Sequence, residues 1–513
     1  MSTALQLAIV VGYLLLALAV GLVAYRLTER TAEDYYLASR TFGTVVLLFT
    51  TFATLLSAFT FFGGPDISYL YGPEWILVMG LMDGLIFAVL WYVVGYKQWL
   101  IGQARGHVTL GEMLGDRFGS SRLRALVAVV SLFWLFPYVM LQQIGAGGAL
   151  AALTEGAVPY WAGATLITGF MIVYVVLAGM RGIAWTDTLQ GAFMLATVWA
   201  ALLWILVSVD GVGTINAGLA ETAPEFLALG SDFYTPQRML TFAVSIAFGV
   251  TMFPQVNQRF FAADSETVLK RTFALWPILV VLLFVPAFLL GTWAQGLGIQ
   301  ADIAAGENVL PLLLAEYVPA WFAALVIAGA LAAMMSSSDS MLLSGAAYYT
   351  RDVHRTLVDP TVSDDRESRL GRIGVVVFAG GALLASLWVE AGAAGGGTIG
   401  AVLVDIGDLA FGGFAQLALP VIVALYWRPT TRTGLTAGVV VPQLVYVAFN
   451  FLPATPVGLP GLGDVTLFAG AYFGWGVSLY CMALGLLVTV GVSRATTAAP
   501  EEDAALYFED LAD

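Results

Sequence analysis

Thirteen stretches of about 20 mostly apolar residues, each long enough to cross a bilayer, leave this chain few ways to fold. They run over 4–25, 43–63, 72–97, 122–153, 158–179, 184–208, 237–257, 273–297, 319–348, 373–390, 398–427, 434–453 and 466–493. Lipid offers no hydrogen bonds, so a backbone crossing it must satisfy its own N–H and C=O groups, and such stretches become helices. Charged residues make up 11% of the 513, against roughly 25% in soluble proteins, so no sizeable soluble domain is left over. The chain reads as an all-α polytopic membrane protein. One cysteine, Cys481, excludes an intrachain disulfide. The two histidines, His107 and His354, fall in polar connections, which argues against histidine metal sites and intramembrane histidine relays. Net charge is −14, with two lysines beside 19 arginines. That composition fits a halophilic source, or equally a GC-rich genome with an acidic tail. The first apolar run lacks a basic leader and a cleavage site, and is read as a retained span.

Basic residues test the count. With the N-terminus outside, 20 of the 21 lysines and arginines fall in inner connections, Arg259 and Arg30 among them, and Arg238 alone falls outside. A missed span would scramble that alternation. The reading is a multi-pass plasma-membrane protein with its C-terminus in the cytoplasm. The acidic tail, Glu501 to Asp513, is expected to be unstructured.

Chemistry concentrates in a few spans. The ninth holds Met-Met-Ser-Ser-Ser-Asp-Ser at 334–340, with three successive hydroxyls where no water reaches. A lone intramembrane serine folds back on its own helix. Three beside Asp339 point instead to hard oxygen ligands for a small cation. The second span is rich in hydroxyls (Thr50, Thr51, Thr54, Ser57, Thr60) and is expected to break at Gly63-Gly64-Pro65. The seventh carries Gly249 and Pro254. These two spans run in opposite directions five spans apart, as in an inverted repeat with its binding site at the breaks. Asp187 is placed at the start of the sixth span, where it could cap the helix or draw a cation off its site. Asp83, Asp405 and Asp408 need partners or a wet cavity.

Three motifs carry a family resemblance: Gly-Met-Arg-Gly-Ile-Ala-Trp-Thr-Asp-Thr-Leu-Gln-Gly at 179–191, Pro-Gln-Val-Asn-Gln-Arg-Phe-Phe-Ala-Ala at 254–263, and Ala-Ala-Met-Met-Ser-Ser followed by Arg351-Asp352. With them the chain resembles the sodium:solute symporter family from the second span to the twelfth. The resemblance implies a five-plus-five inverted repeat of the leucine-transporter type, driven by Na⁺. It divides the chain into an extra helix and loop (1–42), a first repeat (43–208), a second repeat (209–427), two further helices (428–493) and a tail (494–513). It implies Na⁺ ligands at the carbonyls of Ala53, Leu56 and Ala333 and the hydroxyls of Ser336 and Ser337. Ala333 and Ser336, three apart, share a helix face. Asp187 matches the family's acid on the inner ion path or at a second Na⁺.

For the solute the family patterns diverge. Sugar carriers place amides and a tyrosine where this chain has Phe253 and Gln255. Proline carriers have a carboxylate where it has Leu55, and aromatics where it has Ile246 and Val250. The run Ser57 to Pro65, with Tyr69, Gly72 and Trp75, looks more like the pantothenate and monocarboxylate branch. A small organic carboxylate is the expected partner, met by Ser57, Thr60, Tyr138, Gln142 and Gln255. Proline, sugar and proton-coupled carriers stand as alternatives, and a membrane sensor is a more distant one. No nucleophile–base pair or nucleic-acid signature is evident, and a monomer within the bilayer is the expected functional unit.

Overall fold

A computed structural model describes residues 3–26, 31–303, 306–393, 400–459, 463–497 and 505–508. Arg30, most of the tail and the residues joining the tenth and eleventh spans lie outside these. Among the described residues, eleven helices are long and apolar enough to cross a membrane, and two bent pairs bring the number to thirteen.

The first helix, α1, is Thr3–Tyr25. The first bent pair is α2 (Thr44–Leu55) and α3 (Phe59–Tyr71), at 67° to each other. Next come α4 (Ile76–Arg105), a short surface helix α5 (Leu110–Arg117), and α6 (Ser121–Leu153). The helices α7 (Tyr160–Leu177) and α8 (Gly179–Ser208) follow. Gly179 joins them at φ +57°, and a side chain there would also run into Tyr35, 2.7 Å away, so this corner demands glycine.

The second bent pair is α9 (Pro236–Thr251) and α10 (Pro254–Ala262), at 55°. Then come α11 (Glu266–Gly296), α12 (Ala320–Val358), α13 (Asp364–Gly392), α14 (Leu403–Tyr426), α15 (Arg432–Phe451) and α16 (Val477–Ala495). A short antiparallel hairpin, β1 (Thr455–Leu459) with β2 (Gly463–Leu467), precedes α16. The thirteenth span therefore starts eleven residues later than its apolar run suggests, because Gly470 and Gly474 break that run and Gly474 takes φ +83°.

The core is built around α12. Nearly every residue from Phe322 to Tyr348 is buried, whichever way it faces. Its alanines, glycines and serines let neighbours approach closely, which is how helices gain contact in lipid, where no hydrophobic drive separates them from the chains around them. A side chain on Gly329 would lie 2.3 Å from the Thr197 hydroxyl of α8.

Two expectations are corrected here. The second span does not break at Gly63-Gly64-Pro65; it breaks at Leu56–Ala58, and the Gly-Gly-Pro run lies inside α3. A widened turn, with Gly64 N–H donating to Phe59 O, absorbs the proline. The glycine serves packing instead: a side chain on Gly64 would meet the Phe288 ring at 2.0 Å. The tail is not wholly unstructured either. Ala505–Phe508 forms one helical turn, α17, and Tyr507 is buried. The Tyr507 hydroxyl donates to Met113 O (2.9 Å), while Lys97 and Arg117 lie 4.8 and 5.0 Å from the Phe508 ring centre.

Candidate ion and solute site

At the first break Leu56 turns extended (φ −85°, ψ 132°), so carbonyls at the end of α2 lose their helical partners. The serines of α12 meet them. Ser336 Oγ donates to Ala53 O (2.8 Å) and to Ala333 O (3.0 Å). Ser337 Oγ donates to Thr54 O (3.0 Å) and to Leu56 O. The structure thus brings together all five oxygens named from sequence, and adds the carbonyl of Thr54. The other side of the break is held by α6. Gln142 Oε1 accepts from Ala58 N–H (2.9 Å), and its amide donates to Tyr138 O (3.2 Å). Ser57 Oγ pairs with the Tyr138 hydroxyl at 3.1 Å. Gly145 permits this approach, since a side chain there would lie 2.4 Å from Ala58 Cβ.

The second break closes differently. Asn257 Nδ2, one turn into α10, donates to Thr251 O (3.1 Å) and Phe253 O (2.7 Å). Proline at 254 has no N–H to leave stranded, so it starts the second half-helix without loss.

One turn along α12 from Ser336 lies a second polar cluster. Asp187 sits well inside α8, two turns past its start at Gly179, too deep to cap it. It accepts from Thr50 (2.5 Å) and from Arg259 Nη2 (3.1 Å). Arg259 also donates to Ser340 (2.5 Å), and Ser340 to Asp339 (3.1 Å). Tyr174 donates to the other oxygen of Asp339 at 2.5 Å. Arg259, one of the inner-loop bases by sequence, is fully buried. Its burial corrects that reading: a guanidinium enters the core because Asp187 is there to pair with it. The motif Asn-Gln-Arg-Phe-Phe at 257–261 carried the signal, a base running straight into apolar residues with no turn between.

Between the breaks lies a central cavity of about 30 Å³, lined by Leu55, Thr60, Tyr138, Ile246, Val250, Trp276 and further aromatics. Of the five positions where the family patterns diverge, the three that set this chain apart from the proline carriers, 55, 246 and 250, are on this wall, and Phe253 and Gln255 are not. Of the five proposed solute contacts, Thr60 and Tyr138 line it and Ser57 reaches it through Tyr138. Gln142 braces the first break instead. Gln255 is fully buried and does not line the cavity, and among the described residues neither of its amide atoms is hydrogen bonded. Beyond Ile246 and Phe411, which both spaces share, a vestibule of 690 Å³ opens, lined by Arg238, Ser245, Asp405, Asp408 and Tyr446 among others.

The opposite end is tied shut. Glu112 of α5 accepts from Arg124 (2.8 Å) and Arg351 (2.7 Å), and Arg124 also holds Asp352 (2.8 Å). Burial would push the Glu112 carboxyl up, but Arg351 and Arg124 together hold it below the usual carboxylate range. All nine residues of α10 are buried between these ties and the breaks.

The profile of the sodium:solute symporter family matches residues 35–441. A sodium/pantothenate symporter of Escherichia coli (strain K12) is 27% identical, over 86% of this chain and 90% of its own length. A sodium/proline symporter of Haemophilus influenzae is 26% identical, over 85% and 86%. Among solved structures, a Na⁺-coupled sialic acid symporter superposes with a TM-score of 0.74 at 19% identity, over 97% of this chain and 99% of its own, and so shares the fold. The fold is thus the inverted-repeat, leucine-transporter type with discontinuous helices, and the chain belongs to the sodium:solute symporter family.

Proposed function

We propose that this protein is a sodium-coupled symporter that takes up a small organic carboxylate by alternating access. One observation carries the reading: carbonyls freed at the α2 break and hydroxyls of α12 converge on one point. Five hard oxygens, from Ala53, Leu56, Ala333, Ser336 and Ser337, suit a small monovalent cation. The serine hydroxyls now donate to those carbonyls, and each can rotate to turn a lone pair inward instead. A cation seated there ties α2 to α12, and so favours one arrangement of the two helices. Asp187, one turn away and paired with Arg259, is the group on the ion's way out.

The solute sits in the central cavity. The half-helix ends and the hydroxyls of Ser57, Thr60 and Tyr138 suit an anionic group, while Leu55, Ile246, Val250 and Trp276 suit an apolar body. Pantothenate and proline, the solutes named for the two relatives, both carry a carboxylate. The cavity must widen to admit either, and the vestibule beyond Ile246 and Phe411 is the approach.

The test is uptake into proteoliposomes under an inward Na⁺ gradient, screening pantothenate, acetate, pyruvate, lactate, proline and glucose, with a pH gradient as control. Accumulation of a carboxylate that requires Na⁺ is the expected result. Accumulation driven by the pH gradient alone would overturn the sodium assignment, and glucose as the sole solute would overturn the carboxylate.

A further inference from the structure

One acid in the membrane core belongs to none of these clusters. Asp83 of α4 is fully buried, and among the described residues neither carboxylate oxygen has a hydrogen-bond partner. Met79 stands one turn before it and Phe87 one turn after, and both line the central cavity. Asp83 is not itself among the lining residues; it stands between these two on α4, behind the wall that bounds this cavity.

The helices packed against this stretch are α9 and α11. Pro277 and Val280 of α11 meet the neighbouring Gly84, and Phe284 meets Gly80. Neither helix offers a counter-charge. Between Met239 and Thr251 α9 has no titratable side chain, and α11 has none between Phe273 and Gly296. The charges these helices do carry are at their ends: Arg238 at the vestibule, and Glu266, Lys270 and Arg271 at the far end. Trp276 of α11, whose ring lies 6.0 Å from that of Phe87, has a buried indole N–H that likewise has no partner among the described residues.

An ionised carboxylate without a partner in such surroundings is far costlier than the neutral acid. The neutral acid can be shut in; the carboxylate needs water. The cavity beside it has to open for a solute to enter. We propose that Asp83 is a proton-binding site of the transport cycle, protonated while the centre is closed as in this structure and deprotonated when the cavity fills with water. On opening, the O–H proton passes to entering water and leaves a hydrated carboxylate; on closing, the transfer reverses.

Proton and sodium are thereby linked. The five-oxygen set is assembled in the same closed arrangement that favours the protonated acid, so each ligand favours the state that binds the other. A proton held more tightly by the closed state stabilises it at low pH, and that support is lost as pH rises through the closed-state pKa. Apparent Na⁺ affinity therefore weakens as pH rises.

The experiment uses the full-length protein in lipid nanodiscs, as wild type, Asp83→Asn and Asp83→Glu. Infrared spectroscopy reads the protonated-carboxyl stretch, and tryptophan fluorescence follows Na⁺ titrations from acid to alkaline pH. The wild type should show a protonated-carboxyl band that Asp83→Asn lacks. Its apparent Na⁺ affinity should fall with pH by at most about tenfold per unit, the limit for one proton, and that dependence should vanish in Asp83→Asn. Asp83→Glu, which keeps a titratable group, should shift the band and keep the dependence; it makes the same assignment should Asp83→Asn not fold. A band unchanged in both variants overturns the proposal, as does a lost band with the pH dependence intact. Failure of Na⁺ to bind at all would refute the ion site instead, and the infrared result alone would then decide for or against the proton on Asp83.

Discussion

The two helix breaks use the same backbone device and come to different ends. At the first, the carbonyls of Ala53, Thr54 and Leu56 are met by hydroxyls from another helix, Ser336 and Ser337, and the facing Ala58 N–H is met by Gln142 of a third. At the second, Thr251 and Phe253 carbonyls are met by Asn257 of the same chain segment. A break stitched by distant helices can open when those helices move. A break closed on itself keeps its shape. The first is thus placed to respond to the proposed ion and to a conformational change, and the second acts as a rigid bend over the central cavity.

The comparison can be broken most severely at the serines. Ser336→Ala with Ser337→Ala should abolish Na⁺-dependent solute uptake in proteoliposomes while the protein still inserts and purifies. Sodium dependence unchanged in the double variant would remove the first break from ion binding.

Next in size is Asp187→Asn. It leaves Arg259 charged and fully buried without its carboxylate, at a cost of about 3–5 kcal/mol. Thermal unfolding should register a marked loss of stability, and turnover should slow more than substrate affinity weakens. A stable variant altered in solute affinity alone would sever Asp187 from the ion path.

Asn257→Ala and Gln142→Ala then separate the two breaks directly. Each strands buried backbone groups, worth about 1–3 kcal/mol apiece. Both should lower the unfolding temperature, but Gln142→Ala should also weaken Na⁺ binding, whereas Asn257→Ala should leave it near the wild-type value. Equal effects on Na⁺ titrations would erase the distinction between a stitched break and a self-closed one.

The smallest effect concerns the closed end beneath both breaks. Glu112 has its carboxyl held below the ordinary range, so its pairing adds stability above its unfolded-state pKa and loses it as pH falls through the folded one. Acidification should raise hydrogen exchange in α5 and the start of α6. Glu112→Gln should show that exchange already at neutral pH, and no further rise on acidification.

Much of this architecture was legible in the residues themselves. The thirteen spans and the break before Pro254 are local matters: a bilayer admits only helices of a certain length, and proline, with no N–H to satisfy, readily starts a helix, as it does α10. The serine run was legible too, since three adjacent hydroxyls have no business in lipid without a partner. The Gly63-Gly64-Pro65 run misled because glycine and proline signal a break and close packing alike, and only Phe288, more than two hundred residues away, decides between them. Gln142 looked like a solute contact for a similar reason: an amide facing the centre can hold a ligand or a backbone N–H, and its sequence neighbours are the same in both cases.

That this chain crosses a membrane, about how many times, where hydroxyls gather and which family shares its motifs could all be read from the residues, because each follows from short-range composition and spacing. Only the folded arrangement makes the second span break at Leu56, brings Arg259 into the core to meet Asp187, leaves Gln255 off the cavity wall, and leaves Asp83 without a partner among the described residues. Those outcomes depend on which distant side chain comes within about 3 Å of a given polar atom, and in a medium without water that neighbour decides whether the atom is satisfied, paired or left to wait for a ligand.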